Sequence, residues 1–150
     1  FTGADAVVWT IGATAADPAG HPERVRDGGV RAVATAAAVG VGRWVQVSTM
    51  FANRPEQAPP PMVGAMRLKG ELDAAVRAAP TPWTILRPGG LDETPGTGEV
   101  VLREELPPMM ISRDDVAAVI TELLGTGKGI GVELDLANGG TPVAEAVAAL

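Results

Sequence analysis

Short apolar runs alternate along the chain with stripes of apolar residues at helical spacing. Ala6 to Gly12 (AVVWTIG) is rich in β-branched residues and closes on glycine, the pattern of a strand covered on both faces. A loop carrying Pro18, Gly20 and Pro22 follows. Val30, Val33, Ala34 and Ala37 then fall at i, i+3, i+4 and i+7, one face of a helix that Gly40 stops. Arg43 to Thr49 (RWVQVST) reads as a second strand, and the prolines at 55, 59, 60 and 61 mark a long loop. Leu68, Leu72, Ala75, Val76 and Ala79 outline a second helix, which Pro80 and Pro82 end before the strand Trp83 to Arg87 (WTILR).

Beyond a turn-rich segment from Pro88 to Gly98, short extended pieces are expected at Glu99 to Leu102 and at Met109 to Ser112. The clearest helix starts at Ser112. Ser112 and Asp115 form a capping-box-like pair with Asp where Glu or Gln is usual. Val116, Val119, Ile120, Leu123 and Leu124 line its buried face, and Gly125 is expected to provide the left-handed exit. Gly131 to Ala137 (GVELDLA) is a late strand, and Thr141 and Pro142 are expected at the N-cap and N1 of a last helix.

This alternation defines an α/β chain of parallel βαβ units: a Rossmann-like, doubly wound parallel sheet. The loops after Gly12, Thr49 and Arg87 then share the edge outside the carboxyl ends of the strands, where such sheets bind ligands. At 150 residues with 46% hydrophobic and 20% charged positions, the chain has the size and composition of one globular domain, 1–150. No run approaches the roughly 18 apolar residues of a membrane span. With no cysteine there are no disulfides, no thiolate chemistry and no Cys-ligated metal, which suits a reducing, cytoplasmic setting. A net charge of −6 argues against a general nucleic-acid binder. One histidine and no tyrosine restrict the proton-transfer chemistry available.

Several stretches, taken in order, resemble the atypical short-chain dehydrogenase/reductases of the NmrA-like NAD(P)-binding branch. GADAVVWTIGAT looks like that family's fourth strand and the small-residue turn after it, and AAAVGVGRWVQVST like its fifth strand with a serine at the end. WTILRPGGLDETPGTGEV is close to its sixth strand and Arg-Pro-Gly turn, and ISRDDVAAVI resembles a later helix start. The resemblance implies that residues 1–150 are an incomplete Rossmann domain holding strands 4 to 7 of the fold, with a substrate-cleft segment around 88–112. The family's Gly-rich pyrophosphate loop has no counterpart here: no G-x-G-x-x-G or G-x-x-G-x-x-G follows a strand. The expectation is a C-terminal part of a longer protein; the alternative is a short chain that has lost its phosphate clamp. In the family's sheet order the strand at Ala6 to Gly12 would then be an exposed edge, prone to pairing, swapping or a homodimer.

The resemblance also implies a site. Gly12 and Ala13 would allow close backbone approach to the adenosine side of NADP or NAD, NADP being preferred. Val47, Ser48 and Thr49 would end a strand beside the nicotinamide, with Ser48 able to hydrogen-bond a carbonyl. Pro88, Gly89, Gly90 and Leu91 would shape the pocket wall. Typical short-chain dehydrogenases carry Tyr-x-x-x-Lys on one helix face, the lysine holding the ribose and lowering the tyrosine pKa so that the phenol exchanges a proton. Here AMRLK keeps Lys69 and puts Ala65 in the tyrosine's place. Ser48 and Lys69 are therefore the candidate catalytic pair, with His21 a poor substitute acid. The implied role is hydride transfer to a quinone- or flavin-type acceptor that needs no strong enzyme acid; the alternatives are a non-catalytic NAD(P) sensor and an inactive fragment. Arg87 is expected to pair with a carboxylate such as Asp92 or Glu93. Gly125 to Gly131 (GTGKGIG) leaves a helix and enters a strand, so it reads as a helix stop and not a phosphate loop. No metal site is expected from Asp114, Asp115, Glu104 and Glu105, and Trp9, Trp44 and Trp83 are expected in the core.

Overall fold

The computed structural model describes residues 1–12 and 22–150. In chain order the elements are β1 (Ala6–Trp9), α1 (Pro22–Ala38), β2 (Arg43–Val47), α2 (Val63–Ala78), β3 (Trp83–Pro88), β4 (Gly90–Asp92), β5 (Glu99–Arg103), β6 (Met110–Ser112), α3 (Arg113–Thr126), β7 (Val132–Asn138), β8 (Thr141–Pro142) and α4 (Val143–Ala148). The main sheet runs β1-β2-β3-β7-β5-β8, and β4 and β6 form a small parallel sheet of their own. The first four strands of that order are mutually parallel; β5 joins antiparallel to β7, and β8 antiparallel to β5.

Adjacent residues of each central strand serve opposite faces, because side chains alternate along a strand. Trp44 and Ile85 pack with Val7, with Val33 and Ala36 of α1, and with Leu72 and Val76 of α2. Their neighbours Val45 and Leu86 pack on the other face with Leu136, Val116, Val119 and Leu123 of α3, and Val147 of α4. Helices thus cover both faces, as the continuous apolar strands require. The tryptophans join this packing: Trp44 is fully buried, and its ring stacks on Trp9 with centroids 5.8 Å apart.

Three local details depart from the sequence reading. The helix expected to exit at Gly125 continues to Thr126, whose hydroxyl donates to the Glu122 carbonyl, and Gly127 takes the left-handed conformation at φ 68°. The Ser112 hydroxyl does cap α3, accepting from the Asp115 amide at 3.0 Å. Asp115, one methylene shorter than Glu, does not accept from the Ser112 amide; at the N-cap its carboxylate meets only the Ser112 hydroxyl, at 3.0 Å. Its carboxylate accepts instead from the Thr97 and Gly98 amides at 2.9 and 2.8 Å, tying the preceding loop to the helix. Desolvation works to raise the Asp115 pKa, but the bonds from Thr97, Gly98 and Ser112 outweigh it and hold the group below the ordinary carboxylate value. Finally, Thr141 and Pro142 form β8 against β5, so that Pro142 is itself the N-cap of α4.

The sheet also encloses a charge network. Asp135 of β7, fully buried, accepts from Arg54 at 2.6 Å, from Arg87 of β3 at 2.8 Å and from the Leu106 amide at 2.9 Å. Arg87 reaches Glu133 at 2.8 Å as well, so its partners are carboxylates two strand positions apart on β7 and not Asp92 or Glu93. Asp135→Ala would leave two buried guanidiniums short of the carboxylate they share. The expected loss is about 3–5 kcal/mol, read from urea denaturation. Gly89→Ala would drive a Cβ into the Met109 carbonyl oxygen, backbone that cannot swing aside. It should cost roughly 1–3 kcal/mol in the same measurement.

Candidate functional site

Parallel strands deliver their carboxyl ends to one edge, and at that edge lies a cavity of about 310 Å³. Strand ends form its floor: Thr10 and Gly12 beyond β1, then Val47, Ser48 and Thr49 at the end of β2. The side of α2 facing them contributes Ala65, Met66, Leu68 and Lys69, and Leu91 of β4 closes another wall. Both proposed catalytic residues, Ser48 and Lys69, therefore open on the same space, together with Gly12, Val47, Thr49 and Leu91.

Pro88, Gly89 and Gly90 of the expected set are not among the residues that line it. They carry the chain from β3 into β4. The Pro88 carbonyl accepts from the Met50 amide at 3.0 Å, the Gly89 amide donates to the Leu136 carbonyl, and the Gly90 amide to that of Met109. Their smallness answers to the close pass of the 109–110 backbone and side chain. Ala13 and His21 lie outside the described residues.

The helix geometry explains the cavity's chemistry. Ala65, Lys69 and Asp73 are spaced four apart on α2 and so share a face. Ala65 presents a methyl where a tyrosine would project a phenol. The Lys69 ammonium donates to the Ile11 carbonyl at 3.1 Å, its one partner among the described residues, which leaves further N–H donors to spend. Burial lowers the Lys69 pKa, and the negative charge of Asp73 works against that.

Asp73 was not visible to sequence reasoning as a site residue. It is only 2% exposed, and its Oδ2 accepts from Ser48 Oγ at 2.6 Å. Its Oδ1 is buried and has no hydrogen-bond partner among the described residues. Burial pushes its pKa up to about 6, against the opposing pull of the Ser48 hydrogen bond and the Lys69, Arg87 and Arg77 charges. The signal that could have found it is an acid set between the core positions Leu72 and Val76, one turn beyond Lys69.

A second groove of about 600 Å³ lies at the amino end of β7, bordered by Arg77, Arg87, Glu104, Glu105 and Glu133. Its arginines are already paired with Glu133, at 2.9 and 2.8 Å. The glycine-rich segment 125–131 links α3 to β7, and its Gly131 amide is engaged by the Trp83 carbonyl at 2.7 Å. Among the described residues no three His, Asp or Glu side chains cluster as metal ligands would, and no helix is long and apolar enough to cross a membrane.

Comparison with known proteins agrees with this architecture. Residues 1–126 match the family described as NAD(P)H-binding. The chain is 33% identical over 148 residues to an uncharacterized sugar epimerase of Bacillus subtilis, a match covering 97% of this chain and 68% of that protein. A provisionally assigned NAD-dependent epimerase/dehydratase of Bacillus halodurans superposes with a TM-score of 0.92 at 30% identity, over 97% of this chain and 70% of that one. The oxidoreductase ylbE of Lactococcus lactis gives 0.88 at 26% identity, over 99% and 68%. By sequence pattern, sheet architecture and family match together, the chain belongs to the NAD(P)H-binding family, among the atypical short-chain dehydrogenase/reductases.

Proposed function

We propose that the protein binds a reduced nicotinamide dinucleotide at the cavity between β2 and α2 and delivers its hydride to a quinone- or flavin-type acceptor. The observation that carries this reading is convergence: Lys69, Ser48 and Gly12 line one space at the strand edge. The donor set suits the group. Lys69 retains N–H donors for ribose hydroxyls, Ser48 and Thr49 offer hydroxyls to a carboxamide or an acceptor carbonyl, and Val47 and Leu91 supply apolar walls for a ring. At Gly12 no side chain intervenes between the backbone and the cavity, and Lys69 Nζ lies at ordinary contact distance, 3.7 Å, from where a Cβ would stand.

The dihydronicotinamide supplies the hydride when bound; the chain's residues orient and exclude. Without tyrosine at position 65 the phenolic proton donor of typical short-chain dehydrogenases is missing. Acceptors whose reduced anions take a proton from water meet that constraint most directly. The kinship to an oxidoreductase, ylbE, supports reduction. The same alanine favours one second reading, a protein that binds the dinucleotide and signals its presence without turnover. NADP is the preferred form.

Calorimetric titration with NADPH and then NADH is expected to show binding, and NADPH oxidation in the presence of menadione or FMN is expected to follow. Tight binding with no oxidation by either acceptor would favour the sensor. Lys69→Ala should weaken NADPH binding by about 10- to 100-fold, since hydrogen bonds from a charged donor are worth ~1.5–3 kcal/mol. Unchanged affinity would remove Lys69 from the site.

A further inference from the structure

Asp73 holds a position that packing alone does not explain. An acid on the buried face of α2, flanked by the fully buried Leu72 and Val76, gives up its hydration for a single side-chain hydrogen bond among the described residues, from Ser48. The charged groups that face it are Lys69 and Arg77 on its own helix and Arg87 on β3. Each is committed elsewhere: Lys69 to the Ile11 carbonyl, Arg77 to Glu133, and Arg87 to Glu133 and Asp135. From the residue that follows β2, the Ser48 hydroxyl donates to it. A carboxylate with one idle buried oxygen is poorly solvated, whereas the neutral acid needs only one partner for its O–H. At 2.6 Å the Asp73–Ser48 contact suits an O–H···O bond with the proton on either side.

We propose that Asp73 and Ser48 form a proton relay, with Asp73 storing a proton one hydrogen bond behind the cavity wall and Ser48 passing it to a carbonyl oxygen of the acceptor. This rests on the reductive reading above, with a reduced nicotinamide dinucleotide as the reductant. When hydride bonds to the acceptor, its C=O π pair becomes an oxyanion. The Ser48 O–H bond breaks as that oxyanion gains the proton, and the Asp73 O–H bond breaks to restore the serine. Asp73 ends as carboxylate and is reprotonated from solvent before the next cycle. Asp73 is thus a positioning and proton-storing residue, acting through Ser48, which alone of the two lines the cavity. The relay supplies the acid that the missing tyrosine withholds. It extends the acceptor class from quinones and flavins to carbonyl compounds whose alkoxides need a proton from the enzyme.

The test has one arm that needs no cofactor. Infrared difference spectra of the unaltered protein between pH 4 and pH 8 are expected to show a protonated carboxyl band lost with a midpoint near pH 6. That band should be absent from Asp73→Asn and displaced in frequency in Ser48→Ala, which keeps the acid but removes its hydroxyl partner. If no carboxyl titrating above pH 5 disappears in Asp73→Asn, the proton store is overturned. In the second arm, single-turnover oxidation of NADPH by an aldehyde acceptor, 4-nitrobenzaldehyde, whose alkoxide needs a proton, should slow as pH rises above 6, by up to about tenfold per unit. Asp73→Asn should be slow and flat with pH. A pH profile that survives in Asp73→Asn overturns the relay. If the unaltered protein fails to bind NADPH, or to oxidise it with menadione, FMN or the aldehyde, the reductive reading falls, and the infrared arm still decides whether Asp73 holds a proton.

Discussion

The site rests on one buried hydrogen bond, from Ser48 at the end of β2 to Asp73 in the middle of α2. It ties the helix to the strand end beside the packing of Leu72 and Val76 against Trp44 and Ile85. Because side chains four apart on a helix stack on one face, that single constraint also sets Lys69 and Ala65 over the strand ends. Rotate α2 by one residue, and the ammonium leaves the cavity while the acid enters solvent. The bond is strong because it is dry, and it is consequential for the same reason: in a low dielectric a half-satisfied carboxyl is sensitive to whether it carries its proton.

The turn between these two elements is held with comparable firmness. Gly70 lets α2 approach the Ala52 carbonyl so closely that a Cβ would collide with it. Phe51 within the same turn adopts φ 72°, a conformation that a bulky side chain rarely takes. Arg54 holds it there, its guanidinium lying 5.3 Å from the Phe51 ring centre and its far end bonded to buried Asp135. The ionic network beneath β3 and β7 is thus mechanically continuous with the loop that leaves Ser48. Charge inside this sheet braces the strand tips as apolar packing braces their middles.

Seen this way, the alanine at position 65 need not mean the absence of acid chemistry. This chain has a methyl there and an acid one turn beyond the lysine, behind the strand-end serine. The serine is a natural intermediary because a hydroxyl both donates and accepts, so it can turn a buried proton toward the cavity without moving a main-chain atom.

The sequence by itself determined the fold class and the order of the helices and major strands, because these follow from periodicities and motifs carried by neighbouring residues. It also placed Gly12, Thr49 and Leu91 among the candidates. It could not show that the backbone of Pro88 to Gly90 is bonded to Met50, Leu136 and Met109, that β4 and β6 pair with each other, or that Arg87 bonds carboxylates 46 and 48 positions later. Nor could it distinguish Asp73 from the solvated acids of a helix surface, since spacing gives a face but not what lies opposite. Those matters depend on contacts between segments far apart in the chain, and only the folded sheet, by bringing β2, β3 and β7 beneath α2, decided which side chains lost water and which partners replaced it.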